Sequence, residues 1–286
     1  MILVVGASGN IGKHVVARLN EQGLAVRAVS RDPERAKQLL PVGVEIVAGD
    51  LTNADAVTRV LQGVDKVYLA TNGADFYDAE TNLIRGAQAA SIRHIVKVSV
   101  IGASFDNFVV LAQAHAAIEQ QLAASGIPAT LLRPNWFMEN FFGSASTIIQ
   151  QGAIYGSADE GKVAFIDSRD TAAVAVAALT VSGHEGKEYQ LSGPEALTFA
   201  EAAQRIGQGL GRDIHYVNLP EQDFQQALIG GGVPAEFTDI FLQINRNARE
   251  GNLSKVTDTV ATLTGQSART LEAFAHDYAG MFTAAS

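Results

Sequence analysis

The first half of the chain alternates between two hydrophobic periods. Apolar runs at residues 2–5, 25–30, 45–48, 67–70, 94–100 and 130–133 have the length and residue types of buried strands. Between them, residues 12–21, 33–40, 54–61, 80–90 and 109–125 carry apolar side chains at helical spacing, as Val15, Val16 and Leu19 do. Strand alternating with helix predicts a parallel sheet covered on both faces, and right-handed crossovers make it doubly wound. Ligands of such sheets bind at the carboxyl ends of the strands. The turns after each strand are therefore where chemistry is expected.

The pattern changes after Arg133-Pro134. Residues 136–142 are dense in aromatics, and 152–162 read as a glycine-rich loop. A helix at 171–181 and a strand at 188–192 follow, then helices at 198–209, 221–228, 237–250 and near 271–282. The expected architecture is α/β: a doubly wound parallel sheet with a smaller, mostly helical second domain. Residues 1–135 with about 171–193 form the sheet domain, and 136–170 with 194–286 the second.

The first strand runs into Gly6-Ala7-Ser8-Gly9-Asn10-Ile11-Gly12, and a helix starts directly after it. A helix N-terminus offers unpaired N–H groups and a partial positive charge, and glycines let backbone approach a pyrophosphate. Strand, glycine turn and helix in that order predict a Rossmann dinucleotide site, with Gly6, Ser8, Gly9, Asn10, Ile11 and Gly12 at the phosphates.

Composition narrows the function. The 286 residues include 47% hydrophobic and 18% charged, ample for a packed core. A net charge of −9 and the lack of a basic run argue against a nucleic-acid partner. The absence of cysteine excludes disulfides and thiolate metal sites, and the six histidines form no ligand-like spacing, so no metal is expected. There is no bilayer-length apolar run or signal-like start, which gives a soluble, cytoplasmic expectation without membrane contact.

The second strand ends in Ser30-Arg31-Asp32. An NAD enzyme usually carries an acid at this strand tip, whereas Arg31 suits a 2′-phosphate, so NADPH is preferred. Asp32 keeps NADH possible. After the third strand, Asp50 suits the adenine amino group and Leu51 its ring, although Asp50, Thr52 or Asn53 is also needed to cap the next helix. Thr71 and Asn72 end the fourth strand beside the ribose position. Ser99 lies near the nicotinamide, or is a buried serine satisfied by backbone.

These residues point to a family. Gly6-x-x-Gly9-x-x-Gly12, Ser30-Arg31-Asp32-Pro33, Gly49-Asp50-Leu51 and the run from Leu131 to Asn140 carry the resemblance. Ser168-Arg169-Asp170-Thr171-Ala172 and Tyr189-Gln190-Leu191-Ser192-Gly193-Pro194 extend it over nearly the whole chain. The chain resembles the NmrA-like group of atypical short-chain dehydrogenases/reductases, above all its triphenylmethane, quinone and azo-dye reductases. The resemblance implies an NAD(P)H-dependent reductase. Typical superfamily members use a Tyr-x-x-x-Lys pair on the helix after the fifth strand. The corresponding helix here has neither residue and places His115 where many of the group carry lysine. His115 is then a hydrogen-bond donor to the nicotinamide ribose, a proton source, or a polar residue on a helix flank. Glu119 shares its face and either orients the imidazole or serves the structure.

Without the tyrosine, a localised alkoxide has no acid beside it. Quinones, azo compounds and cationic triarylmethane dyes spread the incoming electron pair over a π-system, so positioning dominates. Phe76 and Tyr77 in the loop after the fourth strand, and Trp136, Phe137, Phe141 and Phe142 after the sixth, are the expected walls for a small aromatic substrate. Phe165, Phe237 and Phe241 are added from the second domain, and Asn135 is the polar catalytic contact. The alternative is a redox sensor that binds NAD(P) without turnover. Apolar helix faces near 237–244 leave monomer and homodimer open.

Overall fold

The computed structural model describes residues 1–283, with the side chains of 235–237 outside the described set, Phe237 among them. The expected alternation is present as β1 (Ile2–Val5), α1 (Gly12–Glu21), β2 (Val26–Ser30), α2 (Pro33–Leu39), β3 (Glu45–Ala48), α3 (Ala54–Val60), β4 (Lys66–Leu69), α4 (Phe76–Ala89), β5 (His94–Val98), α5 (Val110–Ala124) and β6 (Ala129–Pro134). A 3₁₀ segment (Met138–Ser144) leads to α6 (Ala145–Gln151), β7 (Ala153–Gly156), β8 (Lys162–Val163), α7 (Ser168–Thr180) and β9 (Glu188–Leu191). Then come β10 (Leu197–Thr198), α8 (Phe199–Leu210), β11 (His215–Asn218), α9 (Glu221–Gly230), α10 (Ala235–Arg249), α11 (Thr259–Thr264) and α12 (Leu271–Asp277).

Seven strands form one sheet in the order β3-β2-β1-β4-β5-β6-β9, and every neighbouring pair is parallel. The strand order reverses between β1 and β4, which opens a crevice at their carboxyl ends. Side chains alternate across the sheet. Ile2 and Val4 pack with Val15, Leu19 and Val174 on the α1–α7 face. Leu3 and Val5 pack with Val57, Leu83 and Ile118 on the α3–α4–α5 face. Each fully buried aliphatic of this kind contributes roughly 1.5–3 kcal/mol. A third core, of Met138, Phe141, Ile154, Phe165, Phe199, Ile206, Phe274 and Phe282, lies in the later half.

Three expectations are corrected. Helix α4 begins at Phe76, so Phe76 and Tyr77 occupy its first turn rather than a loop. The 152–162 stretch is not a loop throughout: β7 pairs in parallel with β11. Its glycines serve close packing, because a Cβ at Gly156 would meet the Tyr216 ring and one at Gly161 the Ala248 backbone. The helix expected near 271–282 stops at Asp277 and gives way to a 3₁₀ turn, Ala279–Phe282. Helix α11, unmarked in the sequence pattern, packs on α7 and β9. No helix among the described residues is long and apolar enough to cross a membrane.

Candidate active site

The glycine turn lies at the crevice. Gly6 has a φ of +73°, and a Cβ there would strike the carbonyl oxygen of Ala70 at the end of β4. A Cβ at Gly12 would strike the Gly6 carbonyl in turn. Both glycines therefore hold the turn against the sheet. Gly9 differs: its Cβ would meet only the Gly6 oxygen, at 3.2 Å, and it is exposed together with Ser8 and Asn10. The N-cap residue of α1, Ile11, has no side-chain cap. An uncapped helix start beneath a bare glycine is the cradle that a pyrophosphate fits.

The expected adenosine end lies at the tips of β2 and β3. The Asp32 carboxylate accepts from the Arg35 N–H at 3.0 Å and caps α2, so it is engaged away from a ribose. Arg31 is largely exposed, and its guanidinium meets the Asp75 carboxylate at 3.2 Å across the crevice. Asn53 caps α3, which leaves Asp50 in a turn that accepts from the N–H and hydroxyl of Thr52. Those bonds hold the Asp50 carboxyl below its usual range. Leu51 is buried with Val57 and Leu83, so it supports the turn from below and does not lie open to a ring. Asn72 is exposed, while Thr71 donates through its N–H and hydroxyl to Glu80.

Beneath these loops lies a buried chain of charges that the sequence reading missed. Period two along β5 puts Lys97 on the same face as Ile95, under α4 and α5. Glu80 stands on the α4 stripe of Leu83, Ile84 and Ala87, and His115 on the α5 stripe of Ile118 and Leu122. The three side chains meet. The Lys97 ammonium is 3.0 Å from Glu80 Oε2 and 3.2 Å from His115 Nδ1, and it donates to the Val98 carbonyl. Burial pushes the Glu80 carboxyl up, and Lys97 opposes the rise. Burial, and then the Lys97 charge, hold His115 well below its ordinary range. The Phe76 ring packs on the imidazole with centroids 5.3 Å apart. Glu119 is not the partner of His115: Arg133 takes both its oxygens, at 3.0 and 2.5 Å. The signal was present in the sequence, as a lysine inside the apolar run His94-Ile95-Val96-Lys97-Val98. Ser99, just past β5, is sealed, and its hydroxyl has no partner among the described residues, so backbone does not satisfy it.

The aromatic run divides. Phe141 is in the third core against Phe165 and Phe199, and Phe142 packs on Phe274, Tyr278 and Phe282. Phe141 is buried and is no free wall, whereas Phe142 is half-buried, as Trp136 and Phe137 are. Asn135 is also corrected: its amide donates to the Leu253 carbonyl and accepts from the Trp136 N–H, both at 2.8 Å, and it is buried. Trp136 and Phe137 stay partly open, as does Phe76, and Tyr77 is exposed with its hydroxyl accepting from Gln121. Phe105 and Phe108, in the loop before α5, are exposed and were not anticipated. Glu139, within the same run, is structural here: it is buried and accepts from the Ser168 N–H and hydroxyl at the start of α7.

A parallel sheet wound outward from a glycine turn at its crevice is the Rossmann architecture of dinucleotide-binding proteins. The chain belongs to the NmrA-like family, whose model matches residues 1–275. It is 39% identical to an NAD(P)H azoreductase of Xenophilus azovorans over 286 residues, all of both chains. An NADPH-dependent quinone oxidoreductase from Escherichia coli, solved with NADPH, superposes with a TM-score of 0.89 at 32% identity, covering 98% of this chain and 100% of that one. A Citrobacter triphenylmethane reductase solved with NADP(H) gives 0.88 at 26% identity, with 98% and 100% covered.

Proposed function

We propose that this chain uses NADPH to reduce a planar conjugated acceptor: a quinone, an azo compound, a triarylmethane dye or a similar aromatic. It is an NAD(P)H-dependent oxidoreductase, and NADPH is its reductant. One observation carries the substrate class. Helix α5 holds no tyrosine, and its buried imidazole, His115, has the Lys97 ammonium against Nδ1, with burial and that charge holding it well below its ordinary range. An acceptor that delocalises charge needs no strong acid there.

The remaining roles are assigned on the same reading. The glycine turn and the start of α1 receive the pyrophosphate. Arg31 receives the 2′-phosphate, with Asp50, Thr71 and Asn72 along the adenosine and ribose. Ser99 and His115 face the nicotinamide end. The bound coenzyme supplies the hydride. Phe76, Tyr77, Trp136 and Phe137 flank the acceptor and exclude water around it. Residues 1–135 with about 171–193 form the coenzyme unit and the rest the acceptor unit.

The test is oxidation of NADPH by the full chain with benzoquinone, an azo dye, a triarylmethane dye and a simple ketone. Turnover with at least one conjugated acceptor and none with the ketone is expected. Tight NADPH binding without turnover on any acceptor refutes the proposal and favours a sensor.

A further inference from the structure

We propose that Lys97 is a positioning residue that locks His115 in its neutral, Nε2-protonated tautomer and so presents a fixed hydrogen-bond donor at the site. An ammonium group has three protons and no lone pair. Lys97 Nζ is hydrogen-bonded to the Val98 carbonyl and, at 3.2 Å, to His115 Nδ1, and it is ion-paired with Glu80 Oε2 at 3.0 Å. Nδ1 must therefore accept, and the single proton of a neutral imidazole is left on Nε2. A second proton on the ring would bring two cations into contact in a site where Lys97 has no exposure at all. Among the described residues Nε2 has no hydrogen-bond partner, and it is not one of the sealed polar atoms. It is the free end of the chain.

None of the other titratable groups near this point is hydrogen-bonded to the His115 ring, and the Tyr68 hydroxyl is buried in the core of the opposite sheet face with no partner among the described residues. On α4, Glu80 faces Lys97, and Tyr77 accepts from Gln121. On β4, the buried Tyr68 phenol lies in the field of Glu80. On α5 itself, Glu119 is tied to Arg133 of β6. His115 is thus a donor of constant strength and not a proton reservoir. What it donates to, an oxygen of the acceptor or a ribose hydroxyl, rests on the proposed reductase reading; its tautomer does not.

The experiment is nitrogen–proton correlation of the imidazoles in the full-length, histidine-labelled protein, with His115→Gln assigning the signal among the six histidines. The expected result is an imine-type Nδ1 and a protonated Nε2 for His115, unchanged between about pH 8 and about pH 5. A protonated Nδ1, or a ring that becomes imidazolium near its ordinary range, overturns the proposal. Lys97→Met alone strands a buried carboxylate, so the working variant pairs it with Glu80→Gln. There the Nδ1 signal moves to the value of an unbonded imine; no movement also overturns the proposal. Failure of every acceptor to oxidise NADPH would remove the reductase reading and leave this result untouched.

Discussion

Arg31→Ala separates coenzyme recognition from stability. The guanidinium is 67% exposed, and its one ion pair among the described residues, to Asp75 at 3.2 Å, joins two solvated side chains. Pairs of that kind contribute about 0–1 kcal/mol, so the melting temperature should hardly move. A charge-assisted hydrogen bond to a phosphate is worth about 1.5–3 kcal/mol. Solvent exposure puts this one at the lower end, which is roughly tenfold in affinity. Titration calorimetry with NADPH and NADH should show Kd rising about tenfold for the first and staying within about twofold for the second. Because Asp75 competes for the same guanidinium, Asp75→Asn should tighten NADPH and spare NADH. Equal weakening of both coenzymes by Arg31→Ala would refute the 2′-phosphate role. So would loss of the NADPH preference through unfolding, seen as a large drop in melting temperature.

Other outcomes follow from the same geometry. Gly6→Ala combines a positive φ with a collision at Ala70, so denaturant melts should show a loss of about 2–6 kcal/mol; Gly9→Ala should leave stability nearly intact and weaken NADPH. Burial pushes His14 down to about 4 from its ordinary 6.5. Between those values the unfolded chain binds a proton there that the folded chain refuses, so stability falls as pH falls. Discounted for the half-open ring, the loss should be about 1–2 kcal/mol, and His14→Gln should flatten that part of the stability profile. Glu119→Gln should reduce stability, because Arg133 loses one of its two carboxylate partners and keeps Glu188, while the pH profile of turnover stays unchanged because the Glu119 carboxylate is bonded to Arg133 and not to His115.

The sheet and its glycine turn were legible because periods of two and 3.6 and an unusual glycine spacing are local signals. Boundaries slipped where the deciding partner is distant. Phe76 looked like loop because the helical stripe became visible only from Glu80 onward. Gly156 and Gly161 read as part of a loop, but they admit Tyr216 and Ala248, residues far along the chain. The aromatic run from Trp136 to Phe142 could not be divided into core and cleft from sequence, since α8 and α12 decide which rings are covered. Lys97 was a local anomaly in plain view. Its meaning required knowing that α4 and α5 bring Glu80 and His115 to the same face.

The parallel pairing of β6 with β9 has a consequence for biosynthesis. Leu131 to Pro134 lie beside Glu188 to Leu191, and the third core is built largely between them and after them. During translation the outer rim of β6 stays bare, its N–H and C=O groups unsatisfied, until the chain beyond residue 187 has emerged. A nascent or truncated product ending in that interval presents a sticky edge to its neighbours. Refolding should accordingly be slow, concentration-sensitive and helped by chaperones, with the last strand acting as the clasp that finishes the sheet.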